Sequence, residues 1–358
     1  MLGVDLIIDE APLAPLTTLR IGGPAKRLWT VETEPEFVAA VEQLDRDGTP
    51  FFVLAGGSNV VVADEGFDGV VLHPVFEGAD HQRRDDGSVA IEATAGAVWD
   101  LLVEALVDAG LSGVECLAGI PGSVGATPIQ NVGAYGQEVA QTIEAVRVYN
   151  RDSKQVEELA GDRCGFGYRS SRLKGDASLI VLGVRFLLEQ SPLSAPIAYR
   201  ELAEKLGVAV GERADSADAR AAVLELRGSK GMVLDEHDHD TWSAGSFFTN
   251  PLLDGGQFAV LEERVAEHCG GESRAPRFDA PDGKLKTSAA WLIEQAGFAK
   301  GDSRGQVGLS SKHTLALTNL GGATAAELIA FAHEIATRVE ELFAVELRPE
   351  PALLGLEW

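Results

Sequence analysis

Two glycine-rich stretches have the composition to bring backbone close to a ligand. Residues 117–136 read LAGIPGSVGATPIQNVGAYG, with glycines at 119, 122, 125, 133 and 136, prolines at 121 and 128, and no charged side chain. A second stretch, AGGSN at 55–59, follows the apolar run Phe51–Leu54 and adds the hydrogen-bonding side chains Ser58 and Asn59. Without a Cβ, successive backbone N–H groups can form a concavity for phosphate oxygens. Two such loops suit an extended dinucleotide whose pyrophosphate lies between them. The competing reading is a pair of tight turns. A long loop inside a compact domain is usually functional or disordered, and one this apolar argues against disorder. The candidate cofactor contacts are Gly56, Gly57, Ser58 and Asn59 in the short stretch. In the long one they are Pro121, Gly122, Ser123, Val124, Gly125, Ala126, Thr127, Ile129, Gln130, Asn131, Gly133, Ala134, Tyr135 and Gly136. Neither G-x-G-x-x-G opening a helix nor G-x-x-x-x-G-K-[ST] occurs, so the expected site is neither a Rossmann site nor a P-loop.

Other polar residues carry less signal by themselves. The run Asp235-Glu236-His237-Asp238-His239-Asp240 has metal-ligand chemistry, but consecutive residues cannot all face one ion, and a charge run reads as a solvated loop. No metal site is expected. Cys116, Cys164 and Cys269 are odd in number, far apart and without C-x-x-C spacing, which describes free thiols rather than a disulfide framework or zinc site.

These loops need rigid elements around them. Thr33-Glu34-Pro35-Glu36 starts a helix by the capping-box pattern, and Phe37, Val38, Val41 and Leu44 continue it to Gly48. Short strands are expected at 51–54, 60–62 and 69–72, a longer one at 88–95, and a helix over 98–109 ended by Gly110. Strands near 143–150 and 178–188 flank RCGFGYR at 163–169. Beyond the Pro-containing segment 191–196, helices are expected near 198–206, 216–227, 288–296 and 324–343. Short strands are expected near 246–249, 307–309, 314–318, 345–347 and 353–356. The expected units are 1–74, 75–190 and 191–358.

The chain has 358 residues, 45% hydrophobic and 24% charged, with a net charge of −25. That length suits two or three packed units and that balance a soluble globular protein. Nucleic-acid binding needs a basic surface, so this acidity argues against it. No apolar run approaches the roughly 20 residues a membrane helix needs. The acidic N-terminus lacks the basic start of a secretory signal, so a cytoplasmic location is expected.

Five motifs in order, AGGSN at 55–59, IPGSVGATPIQNVGAYG at 120–136, FGYR at 166–169, AGSFFTNP at 244–251 and RPEP at 348–351, resemble the UDP-N-acetylenolpyruvoylglucosamine reductase family. LRIGGPA at 19–25 resembles its N-terminal signature. The resemblance spans nearly the whole chain. It implies an α+β fold: an FAD-binding domain of the vanillyl-alcohol-oxidase (PCMH) type in two α+β subdomains, then a C-terminal α+β substrate-binding domain. It implies non-covalent FAD, NADPH as co-substrate, and reduction of the enolpyruvyl ether of UDP-N-acetylglucosamine to UDP-N-acetylmuramate for cell-wall synthesis. Neither cofactor loop holds a His or Cys for covalent flavin attachment. A monomer is favoured.

By the same resemblance Arg169, Ser246 and Glu350 are catalytic, brought from distant segments to one active site. Hydride addition to the alkene carbon beta to the carboxylate leaves charge that needs fixed electrophilic groups. Arg169 would fork onto the carboxylate. Glu350 would be protonated so that it donates a hydrogen bond to that charge, which requires a raised pKa, and Ser246 would protonate the alpha carbon through a positioned network. Taken alone, each has a plain alternative: a surface ion pair, a strand cap and an exposed tail residue. Tyr199, Arg227, Lys230, Asn250 and Gln295 are the expected substrate contacts. Arg348 and Pro351 depart from the family pattern beside Glu350. Two rival functions are another FAD-dependent oxidase on the same scaffold and a non-catalytic nucleotide-sugar sensor.

Overall fold

The computed structural model describes residues 6–358 and has a mixed α+β fold. Contacts divide the chain into two compact units. The first comprises residues up to Ala11, Ala25–Gly57 and Asp68–Val233; the second comprises Pro12–Pro24, Ser58–Phe67 and Leu234–Trp358.

In the first unit, a four-stranded sheet has the order Leu6–Pro12, Pro24–Val31, Phe67–Pro74, Phe51–Val53. Helix α1 (Glu34–Asp47) packs beside it. The Thr33 side chain accepts from the Glu36 N–H, and Gly48 ends the helix in the left-handed region. Phe37, Ala40, Val41 and Leu44 supply its buried stripe, meeting Val31, Val70 and Leu72.

A larger antiparallel sheet follows, in the order Gln155–Ala160, Ile143–Asn150, Leu179–Gln190, Ser88–Thr94, Ala79–Arg83. Helix α2 (Trp99–Asp108) contributes Trp99, Leu102, Val103 and Leu106 to the core below it. The edge strands Ala79–Arg83 and Gln155–Ala160 were not expected from the sequence. Their residues are mostly exposed, so no apolar alternation marks them.

Helices α3 (Arg200–Leu206) and α4 (Ser216–Ser229) bury Leu202, Ala203, Ala219, Ala222 and Val223 in that same core, beside Val114, Leu117 and Ala118. The contact division therefore falls at 233/234, whereas the sequence suggested a boundary at 190/191. Two short helices cannot hide an apolar stripe alone, and these hide theirs against residues 114–118.

The second unit is built on helices α5 (Gly255–Cys269), α6 (Ala289–Gln295) and α7 (Ala325–Phe343). Leu328, Phe331, Ile335, Val339 and Phe343 of α7 meet Phe258, Leu261 and Val265 of α5. A reciprocal capping box, Thr324 with Glu327, opens α7. The sequence reading has no helix at 255–269. Its Gly255-Gly256 opening looks like a loop, but Asp254 and Gln257 cap it reciprocally. The expected strand at 353–356 is the short strand Ala352–Leu354, which pairs in parallel with Val60–Val62. No helix among the described residues is long and apolar enough to cross a membrane.

Candidate active site

In the first unit, the two glycine loops touch. A Cβ on Gly56 would lie 2.5 Å from the Gly122 Cα, so a side chain there would displace backbone. The long loop is anchored from below. Gly122 accepts from Trp99 N–H at 3.0 Å, and Val124 and Gly125 donate to Ala97 and Ala95, both at 2.9 Å. A Cβ on Gly125 would meet that of Ala95 at 2.6 Å. Thr127 donates to the Val124 carbonyl at 2.8 Å, and Ile129 accepts from the Ser171 hydroxyl at 2.6 Å.

The Ser123 hydroxyl is buried with no partner among the described residues. A buried polar atom normally has one, so this donor fits a ligand contact. Backbones in contact, an orphan hydroxyl and an uncharged loop suit an anionic group held by backbone N–H donors. The Asn131 side chain is spent within the protein: its amide donates to Glu138 at 2.8 Å and Gly167 at 3.1 Å and accepts from Ala140 N–H at 3.1 Å. Its role is to hold the loop in shape.

Arg169 lies on a tight turn in which Gly167 and Ser170 exchange backbone hydrogen bonds. Its own φ is 50°, a region non-glycine residues rarely adopt. From there Nη2 donates to the Gly133 carbonyl at 3.0 Å, so the guanidinium rests against the long loop. Strain of this kind persists where neighbouring structure over-determines it.

At the loop's end, Tyr135 meets Tyr199 edge to face at 5.4 Å, and the Lys230 ammonium lies 5.6 Å from the Tyr135 ring. Lys230 pairs with Glu201 at 2.5 Å. Burial pulls its pKa down, but the Glu201 hydrogen bond and nearby charges carry the net shift upward. Arg227 donates to the Met232 carbonyl at 2.8 Å, while its buried Nε has no partner among the described residues. Burial lowers Arg227 to about 10, which leaves it cationic at neutral pH. Burial raises Tyr135 above the usual phenol range. Gly56, Gly57, residues 121–136, Arg169, Tyr199, Arg227 and Lys230 thus all belong to the first unit.

The second unit gathers the other candidates. Phe247 accepts from Glu350 N–H at 2.8 Å, and Thr249 donates to Arg348 at 3.1 Å around the bridge Phe248–Pro349. This short pairing sets Ser246 and Glu350 on adjacent chain segments. Of the strands expected at 246–249 and 345–347, the first is reduced to that single bridge and the second is not formed.

Asn59 donates through Nδ2 to the Glu350 carbonyl at 3.4 Å and accepts from Ala352 N–H at 3.0 Å. Arg348 is exposed and pairs with Glu346, whereas Glu350 is half-buried. Asn250 accepts from Ala289 N–H at 2.9 Å at the start of α6, and Gln295 lies exposed on that helix's last turn.

Two comparisons carry the family. Residues 25–158 match the family described as FAD binding domain, and residues 236–354 match UDP-N-acetylenolpyruvoylglucosamine reductase, C-terminal domain. The UDP-N-acetylenolpyruvoylglucosamine reductase of Streptomyces coelicolor is 52% identical, with 98% of this chain and 90% of that protein covered. That of Thermobifida fusca is also 52% identical, over 97% and 98%. The chain belongs to the UDP-N-acetylenolpyruvoylglucosamine reductase family. A crystal structure of UDP-N-acetylenolpyruvylglucosamine reductase from Thermus caldophilus aligns with a TM-score of 0.65 at 28% identity, over 98% of this chain and 99% of that one. The reductase is an FAD-dependent oxidoreductase, with an FAD-binding α+β domain and a C-terminal domain.

The reductase's acidic run at 235–240 has a structural use. Asp238 pairs with Lys312 at 2.7 Å, and the Asp240 carboxylate accepts from the Ser311 N–H and hydroxyl at 2.8 and 2.9 Å. No group of three or more His, Cys, Asp or Glu able to hold a metal occurs among the described residues. Cys116 and Cys164 are buried free thiols and Cys269 is half-buried. Burial and the charge of Glu115 push Cys116 up to about 12. Sequence reasoning did not single out Glu201 or Glu115; a lone glutamate on a helix or in a loop carries no spacing signal.

Proposed function

We propose that the enzyme reduces the enolpyruvyl ether of UDP-N-acetylglucosamine to the D-lactyl ether, giving UDP-N-acetylmuramate for peptidoglycan synthesis, with NADPH as reductant. The short pairing of 247–249 with 348–350 carries this reading, since it brings the chain segments of Ser246 and Glu350 side by side in the same unit. Gly56, Gly57, Ser58, Asn59 and residues 121–136 would hold FAD, with the Ser123 hydroxyl and backbone N–H groups on its phosphates. FAD, when bound, supplies hydride to the alkene carbon beta to the substrate carboxylate. Arg169 holds that carboxylate in a planar fork and keeps its charge throughout. Glu350 donates a hydrogen bond to the same developing negative charge. Ser246 gives its hydroxyl proton to the alpha carbon and recovers one through the surrounding hydrogen-bonded network.

Tyr199, Arg227 and Lys230 are assigned to the UDP-sugar, the two cations facing its diphosphate. Asn250 and Gln295 are assigned supporting substrate contacts, and the enzyme acts as a cytoplasmic monomer. The deciding experiment is an anaerobic half-reaction series with Ser246→Ala. Flavin reduction by NADPH should stay within about twofold of wild type, while turnover falls by about 10²–10⁴, the usual worth of a positioned proton donor. Normal turnover in this variant removes Ser246 from the mechanism.

A further inference from the structure

Glu115 is a fully buried carboxyl that the proposed mechanism does not use. One oxygen accepts from the Gly113 N–H at 2.7 Å. The other accepts from the Ala195 N–H at 2.6 Å and, more weakly, from the Gln137 amide at 3.4 Å. The Gln137 oxygen in turn accepts from the Cys116 N–H at 2.9 Å. Burying a carboxyl is costly unless its oxygens are satisfied, and here the donors come from three different chain segments. Gln137 directly follows the long cofactor loop. Ala195 opens the segment that leads to Tyr199.

The two segments also approach each other directly. A Cβ on Gly136 would stand 2.9 Å from that of Ala198, and Tyr135 lies edge-on to Tyr199. Local turn formation does not require a carboxyl that reaches Ala195, eighty residues on in the chain. We infer that Glu115 is a positioning residue: it ties the end of the cofactor loop to the start of the 195–199 segment and so fixes Tyr199 for the nucleotide-sugar. This rests on the proposed role of Tyr199 as a substrate contact. Glu115 itself is not among the proposed cofactor or substrate contacts.

A double-mutant cycle on the FAD-loaded enzyme tests it, with Glu115→Gln, Tyr199→Ala and the pair. KM and kcat are measured, and UDP-N-acetylmuramate binding is followed by calorimetry. Glu115→Gln keeps the volume but turns an N–H donor toward Ala195 or Gly113, leaving a buried donor unsatisfied. With Tyr199 in place, Glu115→Gln should raise Kd and KM about tenfold, the size expected for one charged hydrogen bond acting through that side chain. Added to Tyr199→Ala, the same substitution should raise them less than about twofold. Flavin reduction by NADPH should change less than about twofold in Glu115→Gln.

Equal effects in both backgrounds would show Glu115 acting independently of Tyr199, and no effect in either would show it not acting at all; both overturn the inference. If Tyr199→Ala alone leaves Kd unchanged, the substrate role of Tyr199 fails and the inference with it. A weakened Tyr199→Ala without coupling sinks the inference alone. Should Glu115→Gln not accumulate in folded form, Gln137→Met, which removes the amide that reaches Glu115, takes its place in the cycle with the same pattern expected.

Discussion

The two glycine loops and the Phe247–Glu350 pairing solve the same problem in opposite ways. At Gly56 and Gly122 the first unit removes side chains, so that two backbones can touch. At Phe247 and Glu350 the second unit keeps its side chains and holds the main chain beneath them with a hydrogen bond and one bridge. An arrangement made by absence fails when anything is added. One held through backbone tolerates the loss of a neighbouring side chain, because the main-chain bonds remain.

AGGSN lets both halves of that contrast be tested three residues apart. Gly56→Ala puts a methyl 2.5 Å from the Gly122 Cα, and overpacking of this kind weakens FAD retention by about 10- to 100-fold. The flavin-to-protein absorbance ratio of the purified variant measures this. A full complement of flavin would mean the loops move apart freely, and the contrast would lose its first half.

Asn59→Ala should do much less. It removes a 3.4 Å bond to the Glu350 carbonyl but leaves Ala352 N–H donating to the Asn59 main chain. The loss of one neutral bond predicts less than about a tenfold fall in kcat. A fall as deep as that of Ser246→Ala would show that the side chain, not the backbone, holds Glu350 in position.

The smallest effect is expected where the second unit relies on exposed charge. The hydrogen bond from Lys312 holds the Asp238 carboxyl below the usual carboxylate range, and Asp238 in turn raises Lys312. Both side chains are about one-third exposed, so water screens the pair. Asp238→Asn should cost no more than about 1 kcal/mol. The wild-type advantage is present above the unfolded carboxylate pKa and disappears as pH falls through the lowered Asp238 value. At the alkaline end it disappears as pH rises through the raised Lys312 value. Thermal melts of both proteins across pH, with flavin content held constant, check the sign. An advantage that grows in acid contradicts the assigned pairing.

Much of the scaffold was legible because its signals are local. Helices α1, α2 and α7 follow from apolar spacing and caps, and their observed limits lie within a residue or two of those expected. Helix α5 was missed because two glycines obscure its cap, and the edge strand Ala79–Arg83 because exposed residues carry no alternation. Asn131 shows a different limit. Its motif reads as a ligand contact, and its amide also bonds Glu138 and Ala140, partners that spacing does not announce.

The sequence by itself determined where glycine was required, which segments could be helical, and the family, because each depends on residue identity and near spacing. Tertiary structure alone decided that Glu350 pairs with Phe247, that α3 and α4 complete the first unit's core, and that Glu115 reaches Ala195. Those contacts join residues far apart in the chain. Their energy comes from burial and from satisfying donors and acceptors removed from water, and neither exists until the chain has closed around them.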